Sequence, residues 1–267
     1  MPAPRLHFGL PTLQGALAGY VKSFDLLELR CDPAPPTGKY LSRLRREAPP
    51  NFNFALVVGR ALGDLATTTL DTALVEATRR AAETLSARWL VVRTPASAAP
   101  SSRTRKRLAD LMTALRGAAT AIAWEPRGPW ADEEVVALAA ELEVALVRDL
   151  AEQDPPPGPV LYTRLLALGR NSRLGSGAIE RVTERLDGVE EAFIMIEGEG
   201  GAGVAKRIRA SVGELMAEAH AALGDDEELD EEDDGLDADL DAEDGDAESD
   251  EDDEDDADPV DDESEDE

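Results

Sequence analysis

The segment Ala121-Ile122-Ala123-Trp124-Glu125-Pro126-Arg127-Gly128-Pro129-Trp130 decides how the chain is read. It opens as a short apolar run, breaks at a proline, and gives way to the helix-like stretch Asp132–Leu142. Charged residues stand where that strand ends, the place where barrel and open-sheet α/β folds put their working residues. The strand period of two puts Ala121, Ala123, Glu125 and Arg127 on one face and Ile122 and Trp124 on the other. Small residues suit a crowded barrel interior, so Glu125 and Arg127 are expected to point inward.

The same pattern extends in both directions. Apolar, often β-branched runs occur at Leu6–Leu10, Leu26–Arg30, Phe54–Gly59, Trp89–Thr94, Ala121–Pro126, Ala145–Leu150, Val160–Leu168 and Ala192–Gly198. Most are nearly continuous in apolar residues, as strands buried on both faces are. Helix-like stretches lie between them at Thr12–Val21, Thr37–Glu47, Leu70–Leu85, Arg103–Leu115, Asp132–Leu142, Gly177–Leu186 and Val204–Leu223. Repeated strand–helix alternation calls for a parallel sheet. Eight strands in about 220 residues fit a compact (β/α)8 TIM-type barrel at the small end of its range. An open doubly wound sheet is the structural alternative.

The predicted strand ends carry Glu28 and Arg30, Arg60, Arg93, Glu125 and Arg127, Arg148 and Asp149, Arg164, and Glu197. Such residues either form internal salt bridges that close the barrel top or hold a ligand. His7 and His220 fall on the first strand and last helix, which disfavours a histidine metal site. With Cys31 as the sole cysteine, no disulfide within the chain and no cysteine-based metal site is expected. An oxygen-ligand Mg²⁺ site from Glu28, Glu125, Asp149 and Glu197 is disfavoured by the neighbouring arginines. No metal is therefore assigned, and no motif identifies a cofactor. The run Gly198–Lys206 precedes a helix and offers backbone N–H groups to an anion. It is not a Walker motif, because Val204 stands where lysine is required. An ordinary turn is the favoured reading.

Charge divides the chain in two. Residues Asp225–Glu267 hold 30 acidic residues and no Lys or Arg, which leaves 27 acidic against 27 basic residues before Asp225. A like-charged run with little to bury cannot offset its ordering entropy. The expected organisation is a barrel domain over 1–224 and a disordered acidic tail over 225–267. The tail is not an EF-hand, since Ala242 sits where that loop needs glycine. Either it keeps the protein soluble or it captures a basic protein partner by charge steering. Arg103-Thr104-Arg105-Lys106-Arg107 is a basic patch, echoed by Arg43, Arg45 and Arg46. It reads as a solvated helix face, and the tail would compete with nucleic acid for it, so nucleic acid is disfavoured as a partner. There is no signal-peptide pattern and no apolar run near the roughly 20 residues of a membrane span, so a soluble, cytoplasmic protein is expected. Arg outnumbers Lys 23 to 4, a composition typical of GC-rich bacterial genomes.

Five segments, in order, resemble the YecE-like family, domain of unknown function 72. Ile122-Ala-Trp-Glu-Pro-Arg-Gly-Pro-Trp130 is similar to its E-F-R-H-x-x-W stretch, and Phe24-Asp-Leu-Leu-Glu28 to its F-x-x-V-E. Pro50-Asn-Phe-Asn-Phe54 followed by Arg60 looks like P-x-x-F-x-F-x-x-K-x-P-R. Ala145-Leu-Val-Arg-Asp149 and Tyr162-Thr-Arg164 match the sixth- and seventh-strand patterns. The resemblance spans about Leu6 to Leu215 and implies a TIM barrel. There are departures. The family's third-strand lysine falls at Val57, the asparagine after the second-strand glutamate is Arg30, and its R-L-H-G becomes Arg164-Leu-Leu-Ala167. The asparagines that end its eighth strand are replaced around Glu197 and Gly198. Two acid/base groups are thereby lost. The expected function is an enzyme, or a degenerate one, binding a small anionic ligand at the barrel's C-terminal face. Glu28 and Glu125 would move protons, while Arg60, Arg127, Trp130, Asp149 and Arg164 would hold the ligand. The alternative is a non-catalytic interaction protein working through its tail.

Overall fold

A computed structural model describes residues 3–67, 69–166 and 174–224. Eight strands alternate with helices: β1 (Arg5–Leu10), β2 (Leu26–Arg30), β3 (Asn53–Val57), β4 (Trp89–Arg93), β5 (Ala121–Glu125), β6 (Ala145–Leu146), β7 (Val160–Leu166) and β8 (Glu191–Glu197). The helices are α1 (Leu17–Tyr20), α2 (Gly38–Glu47), α3 (Arg60–Gly63), α4 (Thr72–Leu85), α5 (Ser102–Leu115), α6 (Asp132–Glu141), α7 (Ser176–Glu184) and α8 (Gly201–Gly224). Every strand pairing is parallel, in the order β6-β5-β4-β3-β2-β1-β8-β7. The two ends of that series meet through one bridge, Arg148 with Thr163, so the sheet is a nearly closed TIM-type barrel. The open doubly wound sheet is thereby excluded.

Strand alternation sorts the core into two shells. Even-numbered β5 residues Ile122 and Trp124 face the helices, as do Leu56, Leu90 and Ile194. The barrel interior holds Leu26, Ala55, Val57, Trp89, Val91, Ala123, Val147, Tyr162, Phe193 and Met195. Large and small residues compensate there. Trp89 meets Tyr162 and Phe193 edge-on at 5.4 and 5.3 Å, and alanines on β3 and β5 make room for them. Gly9 is required for another reason: a Cβ there would lie 2.3 Å from the Leu26 carbonyl oxygen, so any side chain would push β1 off β2.

Several boundaries differ from expectation. The Thr12–Val21 helix contracts to Leu17–Tyr20, because Gly15 takes φ +73° and the segment before it stays extended or bent. β3 stops at Val57 and the chain turns into α3, a short helix that no hydrophobic period announces. β6 is only two residues long. Beyond it the Asp149 carboxylate, not the backbone, accepts from the N–H groups of Ala151 and Leu166, at 2.9 Å each, and draws the chain out of the sheet. The last residues of the Val160–Leu168 run and the whole 225–267 segment lie outside the described residues.

The N-terminal end of the barrel is closed by a polar cluster. His7 Nδ1 is 2.7 Å from Asp25 and Nε2 is 3.3 Å from Glu191. Arg88 and Arg5 also approach Glu191, at 3.1 and 3.5 Å. The bond to Asp25 outweighs burial and, with Glu191, raises the imidazole pKa above its ordinary 6.5. Burial opposes the charge of Asp25, yet His7 and the Phe8 N–H together hold its carboxyl below the usual range. In barrels of this type such polar closure at the N-terminal face serves stability.

Candidate functional site at the C-terminal face

One pleat above the interior core lies a layer of charge. Leu26, Val91, Ala123, Tyr162 and Met195 point inward, so Glu28, Arg93, Glu125, Arg164 and Glu197, two residues later, must do the same. Arg164 is the hub, 2% exposed beside a Glu28 that is fully buried. Its two Nη atoms grip both oxygens of Glu28, Nη1 reaching Oε2 at 3.0 Å. Its Nε donates to Glu125 Oε2 at 2.9 Å and Nη1 also reaches Glu197 at 2.9 Å. The Tyr162 hydroxyl donates to Glu28 Oε1 at 3.1 Å, and burial pushes its pKa well above the ordinary value, keeping it a donor. Burial works against the charge of Arg164, but Glu28 and Glu125 more than compensate and raise its pKa further.

Glu125 is held equally firmly. Arg127 donates Nε and Nη2 to Oε1 at 2.8 and 2.7 Å, and Arg93 Nε lies 3.0 Å from Oε2. Both oxygens of both carboxylates are thus engaged by donors, mostly guanidinium groups. A general acid or base needs hydrogen-bond reach to the proton it moves. In this structure the oxygens of Glu28 and Glu125 meet these donors.

Beside this layer, at the ends of β2 to β5, is a cavity of about 1120 Å³. Arg30, Arg60, Arg93 and Arg127 line it, together with Asp32, Asp64 and Glu197. Arg60 forms no ion pair with a described residue, and Arg30 reaches Glu197 only at 3.9 Å. Asp32 Oδ1 accepts the Arg60 N–H at 2.8 Å, which ties the loop after β2 to the start of α3. Gly59 permits that approach, since a Cβ would lie 2.4 Å from the Cys31 carbonyl oxygen.

The structure brings Glu28, Glu125, Arg127 and Arg164 together and sets Arg60 in the adjoining cavity. Trp130 and Asp149 stand apart. Trp130 packs edge-on against Trp124 at 5.4 Å on the outer side of β5, with Arg105 over its ring. Asp149 is spent on backbone N–H groups, and burial raises its pKa. Arg148 turns to Asp132 at 2.6 Å and to the Asp154 carbonyl, so it does not join the mouth. The basic patch on α5 lies at the surface, and most of its charges have partners within the chain: Arg105 pairs with Glu134, Lys106 with Asp110, and Arg107 donates to the carbonyls of Leu65 and Ala66. Gly198 and Gly200 take φ +153° and +73°, as a turn into α8 does. Sequence reasoning does not single out Tyr162, Asp32 or Asp64 as site residues. Tyr162 is one strand period before Arg164, which is a readable signal. Asp64 has none, because no hydrophobic period announces α3.

Among the described residues, no group of three or more His, Cys, Asp or Glu side chains is arranged to hold a metal ion. No helix among them is long and apolar enough to cross a membrane. Two solved DUF72 family proteins superpose on this barrel. The one from Enterococcus faecalis V583 has a TM-score of 0.62 at 15% identity, covering 79% of this chain and 98% of its own. The one from Thermotoga maritima MSB8 has a TM-score of 0.62 at 13% identity, covering 78% and 99%. The fold is that of the DUF72 barrels. A D-tagatose 3-epimerase-like protein shares it less closely, with a TM-score of 0.55 at 16% identity over 80% of this chain and 99% of its own. No family model matches the sequence, and no curated protein does either. Agreement with the DUF72 barrel is therefore carried by shape, with the motif residues Glu28, Glu125, Arg127 and Arg164 meeting at one point.

Proposed function

We propose that the chain is a divergent DUF72-type barrel that binds a small anionic ligand in the cavity at its C-terminal face. The observation that carries this is the pair of guanidinium groups, Arg30 and Arg60, that line a roomy cavity without a close carboxylate partner. Guanidinium suits phosphate and carboxylate through paired N–H donors. Arg93 and Arg127 complete the wall, held in place by Glu125. In this reading Glu28, Glu125 and Arg164 position the arginines rather than move protons, which supports a binding protein or a degenerate enzyme over an acid/base catalyst. The loss of the family's lysine and histidine, at Val57 and Leu166, points the same way.

The test is thermal unfolding of the full chain with and without inorganic phosphate, backed by calorimetry. A ligand at 100 times its dissociation constant stabilises by about 2.7 kcal/mol. Arg60→Ala is expected to abolish that shift while leaving the unliganded melting temperature nearly unchanged, because Arg60 is exposed and unpaired. An identical shift in the variant would place the anion elsewhere.

A second reading concerns the tail. Its 30 acidic residues without a single Lys or Arg favour capture of a basic protein partner. Recovery of such a partner should fall steeply between 0.1 and 1 M salt, as the Debye length shrinks from about 10 to about 3 Å. Equal recovery by a chain lacking 225–267 would remove the tail from the interaction.

A further inference from the structure

The charges around the cavity do not favour a bare anion. Four arginines and three carboxylates line it, and beneath them Arg164 faces Glu28 and Glu125. The ten groups sum to zero formal charge, so a simple ion gains little from the overall field. What the cavity offers is both kinds of partner, separately available. Arg30 and Arg60 present donors. The Asp64 carboxylate makes no hydrogen bond or ion pair with a described residue, its backbone N–H alone donating to the Arg60 carbonyl oxygen, and the Asp32 carboxylate meets described residues only through Oδ1. Two acceptor-only groups therefore remain open in the same space as two donor-only groups.

Building on the anion-binding reading, we infer that the ligand is a polyol carrying one anionic group, a sugar phosphate or sugar acid. The anionic end pairs with Arg30 and Arg60, and hydroxyl groups donate to Asp32 and Asp64. Hydroxyls suit Asp32 and Asp64 better than an ammonium group, because in a balanced field a second charge gains little beyond the hydrogen bonds that a hydroxyl also makes. A nucleotide fits poorly. Among the described residues the lining holds no aromatic side chain on which a base would stack; its apolar part comes from Pro33, Val57, Val58, Ala61, Pro95 and Ala96. A volume of about 1120 Å³ accommodates a monosaccharide derivative with water around it.

Calorimetric titration of the full chain with inorganic phosphate, ribose 5-phosphate, acetate, gluconate and ribose separates the possibilities. One or both of ribose 5-phosphate and gluconate should bind at least about tenfold more tightly than phosphate or acetate, the gain of one or two charge-assisted hydrogen bonds. Which of the two binds better identifies the anionic group. Asp64→Ala should erase that preference and leave phosphate affinity within about twofold. Arg60→Ala should weaken every anion. Asp64 is exposed and unpaired, so its variant should fold, which circular dichroism checks. Polyol anions binding no better than phosphate or acetate, or Asp64→Ala weakening all of them alike, overturns the polyol inference and leaves anion binding standing. Absence of binding by all anions, or binding that Arg60→Ala leaves intact, overturns the anion reading and this inference with it.

Discussion

Replacing Arg164 by Met should be among the most damaging single changes in the barrel. The side chain is 2% exposed and holds both oxygens of a fully buried Glu28, besides contacts to Glu125 and Glu197 at 2.9 Å each. Methionine fills much of the space but supplies no donor. Glu28 then keeps only the Tyr162 hydroxyl. Removing one partner of a buried pair costs about 3–5 kcal/mol, since the remaining charge stays desolvated and uncompensated. For a domain of this size each kcal/mol lowers the melting temperature by about 2–4 °C, so a drop of roughly 6–20 °C is expected. Thermal unfolding followed by circular dichroism, with urea titration as a second measure, reads it. The double variant Arg164→Met with Glu28→Gln should be more stable than Arg164→Met alone, because it removes the stranded charge while keeping an acceptor for Tyr162. A drop below about 2 °C in the single variant would mean that water screens this pair as it does surface pairs, which are worth about 0–1 kcal/mol. A double variant as damaged as the sum of its parts would likewise refute the argument.

The His7 cluster should make stability depend on pH. Because the folded imidazole pKa is raised above 6.5, its contribution is fully present below pH 6.5 and is lost as pH rises through the folded value. The gap in melting temperature between the native chain and His7→Gln should therefore shrink from pH 6 to pH 9; a constant gap would show that the imidazole does not titrate as described. The contribution of Asp25, whose carboxyl is lowered from 3.8, is present above that pH and is lost as pH falls through its folded value. Trp130→Ala should destabilise the barrel by loss of its contact with Trp124 and leave phosphate affinity unchanged; a selective loss of affinity would return Trp130 to the binding surface. Deleting residues 225–267 should leave the melting temperature of the remaining chain within a degree or two, and limited proteolysis of the full chain should stop near Leu223. A drop of many degrees would make the tail part of the fold.

The barrel itself was legible from the chain because its strands are buried on both faces and its helices on one. Burial on that scale writes directly into residue type: Leu26–Arg30, Trp89–Arg93 and Ala121–Glu125 were read almost to the residue. Period two also placed Glu125 inward with Ala123, since alternation is a local property of extended backbone. The charge asymmetry between body and tail needed only counting. Other features depended on contacts between segments far apart in sequence. That Arg164 joins Glu28 across 136 positions, that Arg148 turns out to Asp132, and that Asp149 is consumed by backbone N–H groups all follow from closure of the sheet. Strand ends announce charges but not their partners, because pairing is a matter of distance across the barrel mouth. The cavity beside them, with the Arg60 and Asp64 side chains that pair with no described residue, exists because α3 interrupts the third loop. No local periodicity encodes a one-turn helix held by a carboxylate from the loop after β2.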